Sequence, residues 1–146
     1  MGTERTLQYV ILFCISLYAN GHSEVVNNKA IIIDHETGLV WQDDAEVKIT
    51  QKKWKNAIKY CKDLKLSGYS DWRLPTKTEF LTIIDYGRYN PAIKKKFKNV
   101  NSKIYWTNSE YKSDVSHAWF VELFYGYEYY YYKTSAYSVR CVRGNM

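Results

Sequence analysis

The sequence predicts an α+β domain, and three observations carry that reading. Trp54, Ala57, Ile58, Cys61 and Leu64 recur at helical spacing and form one apolar stripe. AWFVELF, from Ala118 to Phe124, alternates in the manner of a strand. Thr76 and Glu79 form the S/T-x-x-E signature of a helix start. At 146 residues, 46% apolar and 25% charged, the chain suits one globular domain rather than two. Its aromatic share of 17% can fill a small core and leave rings for a ligand.

The N-terminus reads as a leader outside that domain. MGTERTLQ is short and polar, Tyr9 to Ala19 is apolar, and NGHS follows. This is the layout of a secretory signal peptide. Its apolar run is too short to span a bilayer as a helix. Cleavage after Ala19, Gly21 or Ser23 is possible because each is small. Lipidation at Cys14 is disfavoured by the bulky Phe13 before it. The alternative is an uncleaved N-terminal segment. The expected division is a signal peptide over 1–23 and a single exported domain over 24–146, with no transmembrane segment after processing.

The mature part opens with a hairpin, Ala30 to Ile33 and Leu39 to Trp41, turning at Gly38. The first helix runs through TQKKWKNAIKYCKDLKL, with Thr50 as its N-cap and lysines on its solvated side. The second begins at the capping box and buries Phe80, Leu81 and Ile84. Tyr86-Gly87 closes it. Residues 88–104 then carry Arg88, Lys94, Lys95, Lys96, Lys98 and Lys103 and no acid. That segment is either a solvated loop or an anion-binding patch.

Strands fill the last third. IYWTNS is followed by AWFVELF, with Trp119, Val121 and Leu123 on one face. The run YGYEYYYY has six tyrosines in eight residues, and it returns as the next strand after Gly126. Tyr129 and Tyr131 then share one face and Tyr130 and Tyr132 the other. Half of these rings are expected in the core and half outside, as an aromatic ladder. A last strand, YSVRCVR, sets Tyr137, Val139 and Cys141 on one face and Arg140 on the other.

Beyond the leader only Cys61 and Cys141 remain, and an exported protein with two cysteines usually pairs them. The net charge of +6 favours anionic partners, although it also serves plain solubility.

Several segments resemble the Lcl C-terminal domain family of bacterial exported modules, some of them attached to collagen-like adhesins. They are TGLVWQ, AIKYCKDLKLSGYSDWRLPTKTEF, YWTNS, AWFVELFYG and VRCVRG, in that order. GYSDWRLPT and VRCVRG are the most specific. The resemblance implies a fold like C-type lectins and the formylglycine-generating enzyme, with two helices and small antiparallel sheets. It also implies the Cys61–Cys141 bond. Trp41, Trp72, Arg73, Leu74, Pro75, Thr76 and Glu79 are read as structural, with Arg73 tying a loop to Asp71 or another acid.

Known chemistries of similar folds lack their residues here. Calcium-bridged sugar binding uses Glu-Pro-Asn or Gln-Pro-Asp and Trp-Asn-Asp triplets, and none occurs. Redox-active cysteines are ruled out if both mature cysteines are bonded. His35 and His117 lie in separate segments without ligand spacing, so no metal or cofactor is expected. No serine-nucleophile motif or phosphate loop is present. The expectation is a non-catalytic, adhesin-like carbohydrate-binding module. Its ligand candidates are Tyr125, Tyr127, Tyr129, Tyr130, Tyr131, Tyr132, Arg88, Lys94, Lys95, Lys96 and Lys98. The expected partner is a glycan or acidic polysaccharide. A protein partner or a structural envelope role is the first alternative, and an enzyme on extracellular or cell-wall sugars is the second. Nucleic acid is not expected, although tyrosine with lysine also suits single strands.

Overall fold

The computed structural model describes residues 30–145. The expected signal peptide lies outside them. The described chain is α+β, as the sequence predicts. Two sheets and three helices are present among the described residues. β1 (Ile31–Ile33), β2 (Val40–Gln42) and β8 (Val142–Arg143) make the smaller sheet. β3 (Gln51–Lys53), β7 (Ala136–Ser138), β4 (Ile104–Glu110), β5 (His117–Glu122) and β6 (Glu128–Tyr132) make the larger, in that order. The helices are α1 (Glu46–Ile49), α2 (Trp54–Asp63) and α3 (Lys77–Leu81).

The opening hairpin forms as expected. Ile31 pairs with Gln42 and Ile33 with Val40, and Gly38 turns at φ +75°. The first helix starts later than expected. Thr50 is not its N-cap but closes α1, its N–H donating to the Glu46 carbonyl. Gln51–Lys53 is drawn into β3 by pairing with β7, and Lys53 becomes the N-cap of α2. Trp54, Ala57 and Cys61 still form the buried stripe.

α3 starts at the expected capping box. The Glu79 N–H donates to Thr76 Oγ1 at 3.2 Å, and the Thr76 N–H donates to Glu79 Oε2 at 2.8 Å. Such a cap contributes about 1 kcal/mol. The helix ends at Leu81, short of Tyr86-Gly87, because Ile84 bridges Ile93 instead.

The WRLP segment packs into the core and binds the chain's end. Trp72 and Leu74 are buried. Arg73 grips Glu79 with two bonds of 2.7 and 2.6 Å and donates to the Gly144 carbonyl at 2.7 Å. Its backbone exchanges two hydrogen bonds with Val142. Asp71 is held by Arg143 instead.

The core has two parts. Trp41, Phe80 and Tyr105 centre one, with Trp41 and Phe80 in edge contact at 5.8 Å. Trp54, Trp72, Trp106 and the Cys61–Cys141 disulfide centre the other. That bond joins α2 to the chain just before β8.

The last strand is broken. Ala136–Ser138 pairs in the larger sheet and Val142–Arg143 in the smaller, so residues 139–141 cross between them. Arg140 does point away from Cys141, but into the interior. It is fully buried, donating to Asp43 Oδ1 at 3.0 Å and to the carbonyls of Gln42 and Asn99. The larger sheet is also not wholly antiparallel, since β7 runs parallel to β4. β6 runs antiparallel to β5 and β5 antiparallel to β4, so β6 and β7 share one direction although only three residues separate them.

Candidate ligand-binding surface

The tyrosine run forms β6, the edge strand of the larger sheet. It pairs antiparallel with β5, setting Tyr132 opposite His117 and Tyr130 opposite Trp119. On the alternate face Tyr131 lies opposite Ala118 and Tyr129 opposite Phe120. The two faces differ in what covers them.

Tyr130 is half-buried between neighbours. Its ring stacks on Tyr111 at 3.7 Å and meets Trp119 edge-on at 5.5 Å. The stacked Tyr111 raises the Tyr130 phenol above the usual tyrosine range. The Lys77 ammonium sits over the Trp119 ring at 3.7 Å. This face is largely spent on itself.

Tyr129 and Tyr131 are 60% and 46% exposed. They share their face with Phe120 and Tyr137, whose centroids lie 6.4 Å from Tyr129 and 6.3 Å from Tyr131 respectively. The expectation that half the run lies in the core is therefore corrected. No ring of Tyr129 to Tyr132 is fully buried, because an edge strand has too little protein over it. Tyr132 also breaks the alternation. It is exposed at the strand's end, resting on His117 at 4.1 Å.

A groove of about 500 Å³ opens beside Tyr137, lined also by Gln51, Lys103, Ile104, Glu122 and Phe124. Burial raises the Tyr137 phenol, and the nearby Tyr131 adds to this. The Glu122 carboxylate accepts the backbone N–H groups of Phe124 and Tyr125, which fixes the following turn. An aromatic floor with a few polar groups around it is a common form of ligand site.

Asp114, Ser116 and His117 also cluster. Ser116 Oγ and Asp114 Oδ2 both lie 2.9 Å from His117 Nδ1. A relay needs serine and aspartate on opposite ring nitrogens. This trio closes a turn and activates no nucleophile.

The basic segment is less free than its sequence suggests. Lys94 pairs with Glu36 at 2.7 Å and Lys96 with the fully buried Asp34 at 2.6 Å. Burial would raise the Asp34 carboxyl, but hydrogen bonds from Lys96 and Thr37 outweigh it and hold it below the usual range. Ala92, Ile93 and Phe97 are buried, and the Lys98 and Asn99 N–H groups donate to Asp43. Lys95 and Lys98 remain exposed, and the Lys98 ammonium donates to the Lys95 carbonyl at 3.2 Å.

Arg88 leaves this group and joins Tyr125 and Tyr127. Together with Tyr86 and Tyr89 they line a separate pocket of about 440 Å³. Tyr86 and Tyr89 are not among the candidates the sequence yields, because lysine and arginine dominate that segment. Their signal was a tyrosine on each side of Gly87-Arg88. Among the described residues no helix is long and apolar enough to cross a membrane. Nor do three or more His, Cys, Asp or Glu gather there as a metal site.

The family model described as Lcl C-terminal domain matches residues 30–143. No curated protein sequence matches the chain.

Proposed function

Because the chain belongs to the Lcl C-terminal domain family, we propose that it is an exported, non-catalytic module that binds glycan on the Tyr129–Tyr131 face. The observation that carries this is the exposure of those two rings at alternate positions of β6, with Tyr131 lying 6.3 Å from Tyr137, which lines the groove. Pyranose rings present C–H faces that stack on aromatics, and hydroxyls that meet polar groups such as Gln51, Lys103 and Glu122.

Export is supported by the leader-shaped N-terminus and by the disulfide, which persists in an oxidising compartment. A non-catalytic role is supported by the groove's single carboxylate. Glycoside hydrolysis calls for two acids facing each other across the bond. Among the described residues Glu122 is the one acid lining the groove, and its oxygens already hold the turn.

Among the described residues no strand pairs with the outer edge of β6, which favours one rival, a protein partner adding a strand there. A glycan array probed with the disulfide-bonded protein separates the two. Binding to a defined set of glycans supports the module reading. Silence across neutral and acidic glycans would turn attention to the edge.

A further inference from the structure

We infer that the pocket around Arg88 is a second subsite, one that takes a sugar residue bearing a carboxylate. It deepens the glycan-binding reading and rests on it, but it uses different residues from the Tyr129–Tyr131 face.

Arg88 stands apart from the other arginines of the described chain. Arg73 is tied to Glu79, Arg140 to Asp43 and Arg143 to Asp71. The Arg88 side chain is exposed and has no carboxylate or carbonyl partner among the described residues. An unpaired guanidinium offers a planar fork of donors that matches a carboxylate.

The walls around it are aromatic. Tyr86, Tyr89, Tyr125 and Tyr127 line the same pocket and are 66%, 73%, 54% and 66% exposed. Tyr125 and Tyr127 lie 5.9 Å apart with their planes tilted by 33°. Exposure of four large rings around one cation is unusual for a surface with no ligand.

The pocket is also built in advance. Its two sides are strapped together by the Asn90 N–H to the Phe124 carbonyl and the Ala92 N–H to the Leu123 carbonyl, each at 2.7 Å. Gly126 turns between them at φ +85°. A Cβ there would lie 2.7 Å from Ile84 Cγ2 and 3.3 Å from Ala92 Cβ, so the turn presses directly on the loop. Little ordering is left for the ligand to impose.

The charge count selects the ligand. One guanidinium faces the pocket, Lys94 is held by Glu36, and Asp85 sits in the loop with its carboxylate on the Gly87 N–H. Such a pocket suits a single carboxylate on a ring that stacks on tyrosine. A densely sulfated chain would call for several free cations together.

NMR titration of the disulfide-bonded protein tests this, with galacturonate, galactose and galactose 6-sulfate as probes. Galacturonate should shift the amides of residues 86–89 and 125–127, and galactose should do so far less. Arg88→Gln should weaken galacturonate binding by roughly tenfold or more, the scale of one charge-assisted contact. Arg88→Lys, which keeps the charge and loses the fork, should fall between. Neither change should alter the melting temperature, since the side chain holds nothing in the fold. Equal galacturonate affinity in Arg88→Gln would overturn the subsite. Tighter binding of galactose 6-sulfate would overturn the carboxylate assignment. Binding of an acidic peptide but not galacturonate would overturn the sugar. If neutral oligosaccharides bind the Tyr129–Tyr131 face and galacturonate binds nowhere, this inference fails alone. If no sugar binds either place, both readings fail.

Discussion

Tyr130 lies face to face on Tyr111, with ring centroids 3.7 Å apart and planes within 6°. The residues beside it in β6, Tyr129 and Tyr131, are exposed, the Tyr129 ring stacking in turn on Tyr130 at 4.9 Å and the Tyr131 ring lying 6.3 Å from Tyr137. One strand thus carries two kinds of tyrosine. Tyr130→Ala should lower stability by about 1–2 kcal/mol, the scale of a lost aromatic contact with partial burial. Tyr129→Ala and Tyr131→Ala should each stay within about 0.5 kcal/mol of the parent. Urea melts of the three variants check this. Equal losses at all three would mean that the whole run is packing.

The Arg73–Glu79 pair gives a pH signature. Burial would raise the Glu79 carboxyl, but the Arg73 hydrogen bonds and the Thr76 N–H outweigh it and hold it low. A carboxyl lowered in the folded state stabilises fully above its unfolded value, about 4.3 for glutamate. That contribution is lost as the pH falls through the folded value. Glu79→Gln should therefore destabilise by about 1.5–3 kcal/mol at neutral pH. It should also flatten the acid limb of a stability–pH curve. An unchanged acid limb in the variant would show that other carboxylates govern it.

Neighbouring lysines in the basic segment should behave differently. Lys96→Glu sets a carboxylate against the buried Asp34 and should cost about 2–3 kcal/mol. Lys95→Glu, at an exposed position, should be nearly silent in thermal melts. A triple reversal at Lys94, Lys95 and Lys96 would confuse lost binding with lost fold. Comparable melting temperatures for the two single variants would show that the Lys96–Asp34 pair is idle.

The disulfide closes a long loop, its two cysteines standing 80 positions apart in the sequence. The chain-entropy model assigns such a closure about 4–5 kcal/mol. Cys141→Ser should lower stability by an amount approaching that value. Cys61→Ser should match it, since either change opens the same loop. A loss below about 1 kcal/mol in both would mean that the reduced chain keeps the two elements together by packing alone.

Local chemistry made much of this fold legible in the sequence. The capping box at Thr76 and Glu79, the Trp54–Cys61 stripe and the hairpin at Gly38 all form from short-range rules. Long-range pairing was not legible. Gln51–Lys53 reads as a helix start until β7 arrives to pair with it. Strand alternation sets Arg140 on the face away from Cys141, but its buried partner Asp43 is 97 residues away. The same limit applied to the surface. Charge alone could not show that Lys94 and Lys96 meet acids from the first hairpin, nor that Arg88 leaves them for a tyrosine pocket.

Calorimetric titration of a glycan identified by array, into the parent and into a Tyr129→Ala/Tyr131→Ala double variant, tests the central claim most directly. Both rings are exposed, so the variant should fold as the parent does. Its affinity should fall by tenfold or more, because each stacked ring contributes about 1 kcal/mol. Tyr130→Ala, measured alongside, should bind nearly as the parent does while melting earlier. Undiminished affinity in the double variant would contradict a glycan site on this face.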